Sequence, residues 1–159
     1  MTQSEPVLEH RASSLQASAL VVSLETPLGQ LPDLLAEHRA YHTIGVVDSS
    51  GVLAGIIPVP LVIQDLLFDV MPEELLSDLL EPGRAASLTR ELHARTAGEL
   101  MHPPIAVPAD ATLREAVHIL HHAELQGAPV VDEAGRVTGY LDLLDIMLAW
   151  WRERHPGGT

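Results

Sequence analysis

The chain has 159 residues, a formal net charge of −13 and no cysteine. That charge repels phosphate backbones and anionic membrane surfaces, which argues against nucleic acid as a direct partner, and the missing cysteine excludes disulfides, thiolate metal sites and a cysteine nucleophile while fitting a reducing compartment. Hydrophobic residues make up 47% but aromatics only 3%, so the core of one domain, or of two half-domains sharing it, must be built from Leu, Val, Ile and Ala.

Met1 to His10 carries Glu5 and Glu9 with neither a basic start nor an apolar core, unlike a secretion signal, and residues 1–16 read as an N-terminal extension. Ala19-Leu20-Val21-Val22 is of strand type. Thr26-Pro27 opens a helix in which Leu28, Leu31, Leu34 and Leu35 recur at helical spacing; Pro32 falls early enough to be tolerated near the first turn, at the cost of shortening or bending it. Polar residues and a glycine at Asp48 to Gly51 make a hairpin turn between two apolar runs, and a helix from about Val59 to Phe68 closes a first unit, residues 17–68. The longest apolar stretch, Val52 to Ile63, contains Pro58 and Pro60 and is too short to cross a bilayer, so a soluble cytoplasmic protein without membrane insertion is expected.

Residues 69–96 belong to neither unit and are expected to be a helical insert. Met71-Pro72-Glu73-Glu74-Leu75-Leu76 has a proline and acids suited to a helix start, Pro82-Gly83 breaks the pattern, and a short helix is expected over Leu88 to His93. The second unit, residues 97–152, has a strand at Ile105-Ala106-Val107 and then Asp110 or Thr112 capping a helix that carries Leu113, Ala116, Val117 and Leu120. A hairpin over Ala128 to Val131 and Arg136 to Leu141 follows, and Asp142 caps a last helix with Leu144, Ile146, Met147, Trp150 and Trp151 before a tail, 153–159. The tryptophans are placed by default in the core, with a dimer contact as the alternative.

The two units repeat one another. Gly45-Val46-Val47-Asp48-Ser49-Ser50-Gly51-Val52-Leu53-Ala54-Gly55-Ile56 and Pro129-Val130-Val131-Asp132-Glu133-Ala134-Gly135-Arg136-Val137-Thr138-Gly139-Tyr140 share strand, Asp-x-x-Gly turn, strand and a glycine in register. Asp48 and Asp132 are 84 residues apart, and Leu28 and Leu113 are 85 apart. Such a duplication predicts half-domains whose apolar faces cover each other. The fold class is α/β (α+β), a tandem β-α-β-β-α arrangement.

Ile105-Ala106-Val107-Pro108-Ala109-Asp110-Ala111-Thr112-Leu113-Arg114-Glu115-Ala116, the stretch Gly127 to Tyr140, Asp145-Ile146-Met147 and the lead-in Glu99-Leu100-Met101-His102-Pro103-Pro104 resemble a cystathionine-beta-synthase (CBS) repeat. The first unit resembles it more weakly. The resemblance implies a tandem CBS pair, or Bateman module, with pseudo-twofold symmetry, a tendency to form homodimers, adenosine-containing ligands in the clefts between repeats, and a regulated partner protein. It leaves no segment for a catalytic domain. No nucleophile motif or phosphate loop appears either, so the chain is expected not to be an enzyme.

The family's ligand motif runs from a glycine through two apolar residues and a hydroxyl residue to an Asp that can hold both ribose hydroxyls. Gly139-Tyr140-Leu141-Asp142-Leu143-Leu144-Asp145 keeps that final carboxylate as Asp145, with Asp142 and Leu144 at hydroxyl positions; in the first unit Pro58 and Leu61 stand for hydroxyl and carboxylate. Carried over, Asp145 faces Leu20 and Tyr41-His42-Thr43, with Tyr41 available to stack on a base. Gly127 stands where an arginine often meets phosphate. An acid at Asp142 and no cation at Gly127 favour S-adenosylmethionine or adenosine over AMP or ATP. Asp142 and Asp145 equally suit a helix cap and an acid in its first turn, which would need no ligand. The alternatives are therefore a ligand-free structural or interaction module with this fold and, less favoured, a metal binder built on His118, His121 and His122; those histidines are expected to face solvent, and no metal ligand is assigned.

Overall fold

The computed structural model describes residues 5–70 and 95–157, with 65–70 described by backbone alone. In the first half β1 (Val21–Ser23) lies parallel to β2 (Thr43–Val47), which pairs antiparallel with β3 (Leu53–Pro58). A 3-10 turn at Leu28–Gln30 and α1 (Leu31–Glu37) make the crossover, and α2 (Val59–Val70) follows β3 directly. In the second half α3 (Ala97–Leu100) precedes β4 (Val107–Pro108), α4 (Leu113–His122), β5 (Gly127–Val131), β6 (Val137–Asp142) and α5 (Leu143–Arg154). The sheet order β4-β5-β6 copies β1-β2-β3, including a register shift at Val46/Val47 and again at Val130/Val131. The insert helices expected at Met71 to Leu76 and Leu88 to His93 lie outside the described residues.

Local chemistry explains these elements. Asp48 Oδ1 accepts from the N–H groups of Ser50 and Val52, as Asp132 Oδ1 does from Ala134 and Arg136, and the left-handed residue each turn needs is Gly51 or Gly135. Thr112, not Asp110, caps α4, and the Thr112–Glu115 capping box satisfies both orphan N–H groups. Pro32 sits in the first turn of α1, where no intrahelical N–H is required of it, and the helix runs for seven residues. Each half buries its own aliphatic cluster, around Leu31, Ile44, Val46 and Ile57 in the first and Leu113, Leu120, Val130 and Ile146 in the second.

The halves are locked by exchange of their leading segments. Residues 5–16, read from the sequence as an extension, lie on the second half: Ala12 N–H donates to the Ala111 carbonyl, Ser13 N–H to Ala109, and Leu113 N–H to His10. Residues 95–98 do the same for the first half, Ala97 to Thr26, Gly98 to Leu24 and Leu28 to Arg95, each 85 positions removed from its counterpart. Further along, Ala17 pairs with Tyr140 on β6 and His102 with Ile56 on β3. The glycines in register, Gly55 and Gly139, exist for this crossing: a Cβ at 139 would meet the Ala17 carbonyl at 2.9 Å, and one at 55 the His102 carbonyl at 2.6 Å. The turns Gly51–Val52 and Gly135–Arg136 also bond to each other, Leu53 N–H to Gly135 and Val137 N–H to Gly51.

The tryptophans are not core residues. Trp151 is 56% exposed and stacks on His155 at 3.7 Å, while Trp150 is half-buried beneath the Arg154 guanidinium. The core side of α5 is taken by Ile146, so a helix with acids at its start and apolar residues on two faces leaves one face outside. No helix among the described residues is long and apolar enough to cross a membrane.

Candidate functional site

A cleft of about 370 Å³ opens between the halves, lined by Ala17, Ala40, Tyr41, His42, Tyr140, Asp142, Leu144 and Asp145. Three pieces of chain build it: the exchanged leading segment gives Ala17, the α1–β2 connection gives Ala40 to His42, and the β6–α5 junction gives the rest. The junction is tight because Leu143 N–H, the first of α5, donates to the Gln126 carbonyl; Val59 N–H donates likewise to His42 at the start of α2.

Five of the seven residues expected at a ligand site meet in this cleft: Asp145, Asp142, Leu144, Tyr41 and His42. The side chains of the other two lie elsewhere. Leu20 belongs to the first-half core, and Thr43 is fully buried with its Oγ1 donating to the Gly127 carbonyl across the interface of the halves at 2.7 Å. A hydroxyl spent on a buried cross-repeat hydrogen bond has no spare donor for a ligand.

Asp142 has two roles at once. Its Oδ1 accepts from Leu144 N–H at 2.8 Å as the cap of α5, and its Oδ2 lies 3.5 Å from His42 Nε2. Asp145 stands exposed in the first turn of α5, near the positive end of the helix, and is not the cap. Tyr41 is half-buried, its hydroxyl donating to the Ser18 carbonyl, and its ring leans on Tyr140 at 4.9 Å between centroids and 57° between planes.

Tyr140 is the residue that sequence reasoning missed. Its hydroxyl accepts from His42 N–H at 3.0 Å and fills the space that a side chain at Gly127 would need. Burial, opposed by that N–H and reinforced by the charge of Asp142, pushes its pKa up to about 12. The signal was present: a tyrosine at 140 faces a glycine at 127, while the first half has Ile56 and Thr43 at the corresponding positions. A large polar side chain gained on one strand and a side chain lost on its neighbour point to one filling the other's space.

Residues 97–152 match the family model of the CBS domain. Curated proteins give no match to the sequence. Among solved structures, a CBS domain-containing protein from Thermotoga maritima is similar with a TM-score of 0.72 and 27% identity, over 91% of this chain and 96% of that one. The chain has the fold of a tandem CBS pair. CBSX2, a CBS-pair protein from Arabidopsis thaliana, matches in its complex with AMP at a TM-score of 0.68 and 19% identity, over 91% of this chain and 98% of that one. The CBS domain pair of protein MJ0100, in complex with 5′-methylthioadenosine and S-adenosyl-L-methionine, matches at 0.66 and 18%, again over 91% and 98%.

In this CBS pair the two halves are not equivalent at this point of the repeat. Asp145 corresponds to Leu61, which is buried in the first-half core, and Asp142 to Pro58. His118, His121 and His122 are exposed on α4, and the described residues contain no group of three His, Cys, Asp or Glu side chains arranged to hold a metal ion.

Proposed function

We propose that this CBS pair is a regulatory module rather than an enzyme, one that senses an adenosine-containing small molecule in its second-half cleft and passes that occupancy to a separate protein. The observation that carries the reading is Asp145. Capping engages one oxygen of Asp142, while Asp145, besides its favourable place in the first turn of α5, is exposed at the mouth of a cleft lined by Tyr41 and Tyr140. An exposed carboxylate beside aromatic rings suits a ribose with its base: two hydroxyls donate to one acid and the base lies on a ring. The AMP and S-adenosylmethionine complexes of similarly folded proteins support the ligand class.

The charges in the cleft favour adenosine or S-adenosylmethionine over AMP or ATP. Among the described residues the lining contains Asp142, Asp145 and His42 and no arginine, and Tyr140 fills the place where a side chain at 127 would begin. A phosphate there meets carboxylates. The rival reading, a ligand-free interaction module, draws on the first half, where Leu61 and Pro58 at the corresponding positions offer no carboxylate.

We take the protein to act in the cytoplasm as a homodimer. Leu144, Met147, Leu148 and Trp151 recur at helical spacing on α5 and are all exposed, a stripe that a second copy would cover. The Leu28–Leu35 stretch does not offer such a face, because Leu28 and Leu31 are buried and Leu34 and Leu35 pack on the core.

A thermal-shift screen with adenosine, S-adenosylmethionine, AMP and ATP tests the ligand. At a hundred times its dissociation constant a ligand adds about 2.7 kcal/mol of stability. Asp145→Ala should weaken binding of the best compound by about 1.5–3 kcal/mol, the worth of charge-assisted hydrogen bonds, and unchanged affinity by calorimetry would reject the site.

A further inference from the structure

His42 is fixed by both halves of the molecule. Its N–H donates to the Tyr140 hydroxyl at 3.0 Å, and its carbonyl accepts from Val59 N–H at 2.9 Å. The side chain is 44% exposed and points its Nε2 at Asp142 Oδ2, 3.5 Å away, while Asp142 itself is only 14% exposed. Since Oδ1 of Asp142 is committed to the Leu144 N–H, the oxygen free to meet a ligand is the one that His42 meets.

Imidazole is the side chain whose ordinary change of charge falls between about pH 5 and 8. With His42 neutral, Asp142 and Asp145 give the cleft two negative charges. With His42 protonated, the imidazolium is paired with Asp142 and the net charge falls by one. Among the described residues the other titratable groups at the cleft are Tyr140 on β6 and Tyr41, with His38 edge-on to Tyr41 at 5.9 Å; Arg39 is exposed in the same connection and is not among the lining residues.

We infer that His42 is a specificity-determining residue of this cleft, a proton-controlled screen over Asp142 that sets which charge of adenosine compound the site accepts. Protonated, it admits an anionic 5′ substituent; neutral, it leaves Asp142 to select an uncharged or cationic one. Binding of an anionic compound therefore takes up a proton, and binding of a cationic one releases it. The inference rests on the proposal that the cleft holds an adenosine compound.

The test uses three probes whose own charge is constant over the range: adenosine, adenosine 5′-sulfate and 5′-deoxy-5′-dimethylsulfonioadenosine. Affinities are measured by calorimetry at about pH 5.5 and about pH 8, which bracket the change of imidazole charge. On the full-length protein, the affinity ratio of the sulfate to the sulfonium should rise about fivefold or more toward the acid pH, the worth of one partly exposed charge pair, with adenosine changing least. In His42→Gln, checked for folding by thermal denaturation, the ratio should stay constant, whereas Asp142→Asn, checked likewise, should raise it at both pH values. Adenosine binding with a pH-independent ratio, or a shift that survives in His42→Gln, would overturn the screen and leave the adenosine site standing. Failure of all three probes to bind at either pH would overturn both.

Discussion

Deprotonating Tyr140 is the perturbation whose cost follows most directly from the cleft. Burial is the chief reason that its pKa stands at about 12 rather than 10.0; the His42 N–H would favour the phenolate and opposes the shift, and the nearby charge of Asp142 adds to it. Between those two values the unfolded chain has released the proton and the folded one keeps it. This contribution to stability is therefore intact below about pH 10 and is lost as the pH rises toward about 12. Two units correspond to about 3 kcal/mol, a large part of a small domain's stability. The chain has two tyrosines, no cysteine and no lysine, so neither a thiol nor an ammonium group titrates in that window. Tyr41→Phe leaves Tyr140 as the sole tyrosine, and ultraviolet absorbance of the phenolate then follows it alone, alongside urea unfolding at stepwise higher pH. The absorbance change should coincide with the loss of stability, and Tyr140→Phe should remove most of that loss. An alkaline decline equally steep in Tyr140→Phe would refute the reasoning.

Gly127→Ala should destabilise by about 1–3 kcal/mol in urea unfolding, because the new methyl collides with the Tyr140 hydroxyl, and Tyr140→Phe in the same chain should recover part of it. If the exposed stripe of α5 is the dimer contact, Met147→Asp with Trp151→Asp should convert a dimeric mass to a monomeric one by light scattering while leaving the circular dichroism unchanged. Removing residues 1–16 should cost about 3 kcal/mol or more of stability, since Val7, Leu8, Ala12 and Leu15 all pack on the second-half core. Near-normal unfolding of that truncated chain would mean that the exchanged segment is dispensable.

The duplicated strand-turn-strand pattern was legible because both of its causes are local: side-chain alternation along strands and an Asp that folds the turn over its own following N–H groups. Five cleft residues were legible for another reason, a resemblance that fixes which segments face one another. The exchange of leading segments was not legible. Residues 5–16 are half polar and carry no long periodic run, and their place depends on backbone pairing with residues about a hundred positions away, for which side-chain sequence gives little sign. The repeat offset of 85 held the clue, since it carries Ala12 onto Ala97. Trp150 and Trp151 were misplaced because apolar content on a helix says that a face will be covered, not that the same chain will cover it. The side chains of Leu20 and Thr43 lie in buried positions instead: Thr43 follows the cleft residue His42 at the start of β2, where successive side chains face opposite ways, and Leu20 packs in the first-half core.

The two halves show how one architecture distributes burial and binding. At the same point of the repeat, the first turn of the helix after the third strand, Leu61 is buried in the first-half core and Asp145 is open to the cleft. A leucine there adds to its core roughly the 1.5–3 kcal/mol of a buried aliphatic side chain, whereas a carboxylate has to stay solvated or find donors. The second half makes up the difference elsewhere. Its α4 has a full capping box, its core takes Val7, Leu8 and Leu15 from the leading segment, and Arg114 pairs with Glu9 at 3.0 Å to hold that segment down. The segment that supports the second half is the one that continues into Ala17 at the cleft wall and then into β1 of the first half. A ligand pressing on Ala17, Tyr140 and Asp145 would therefore touch the strand edge where the halves are stitched together, and its occupancy would bear on the packing of both.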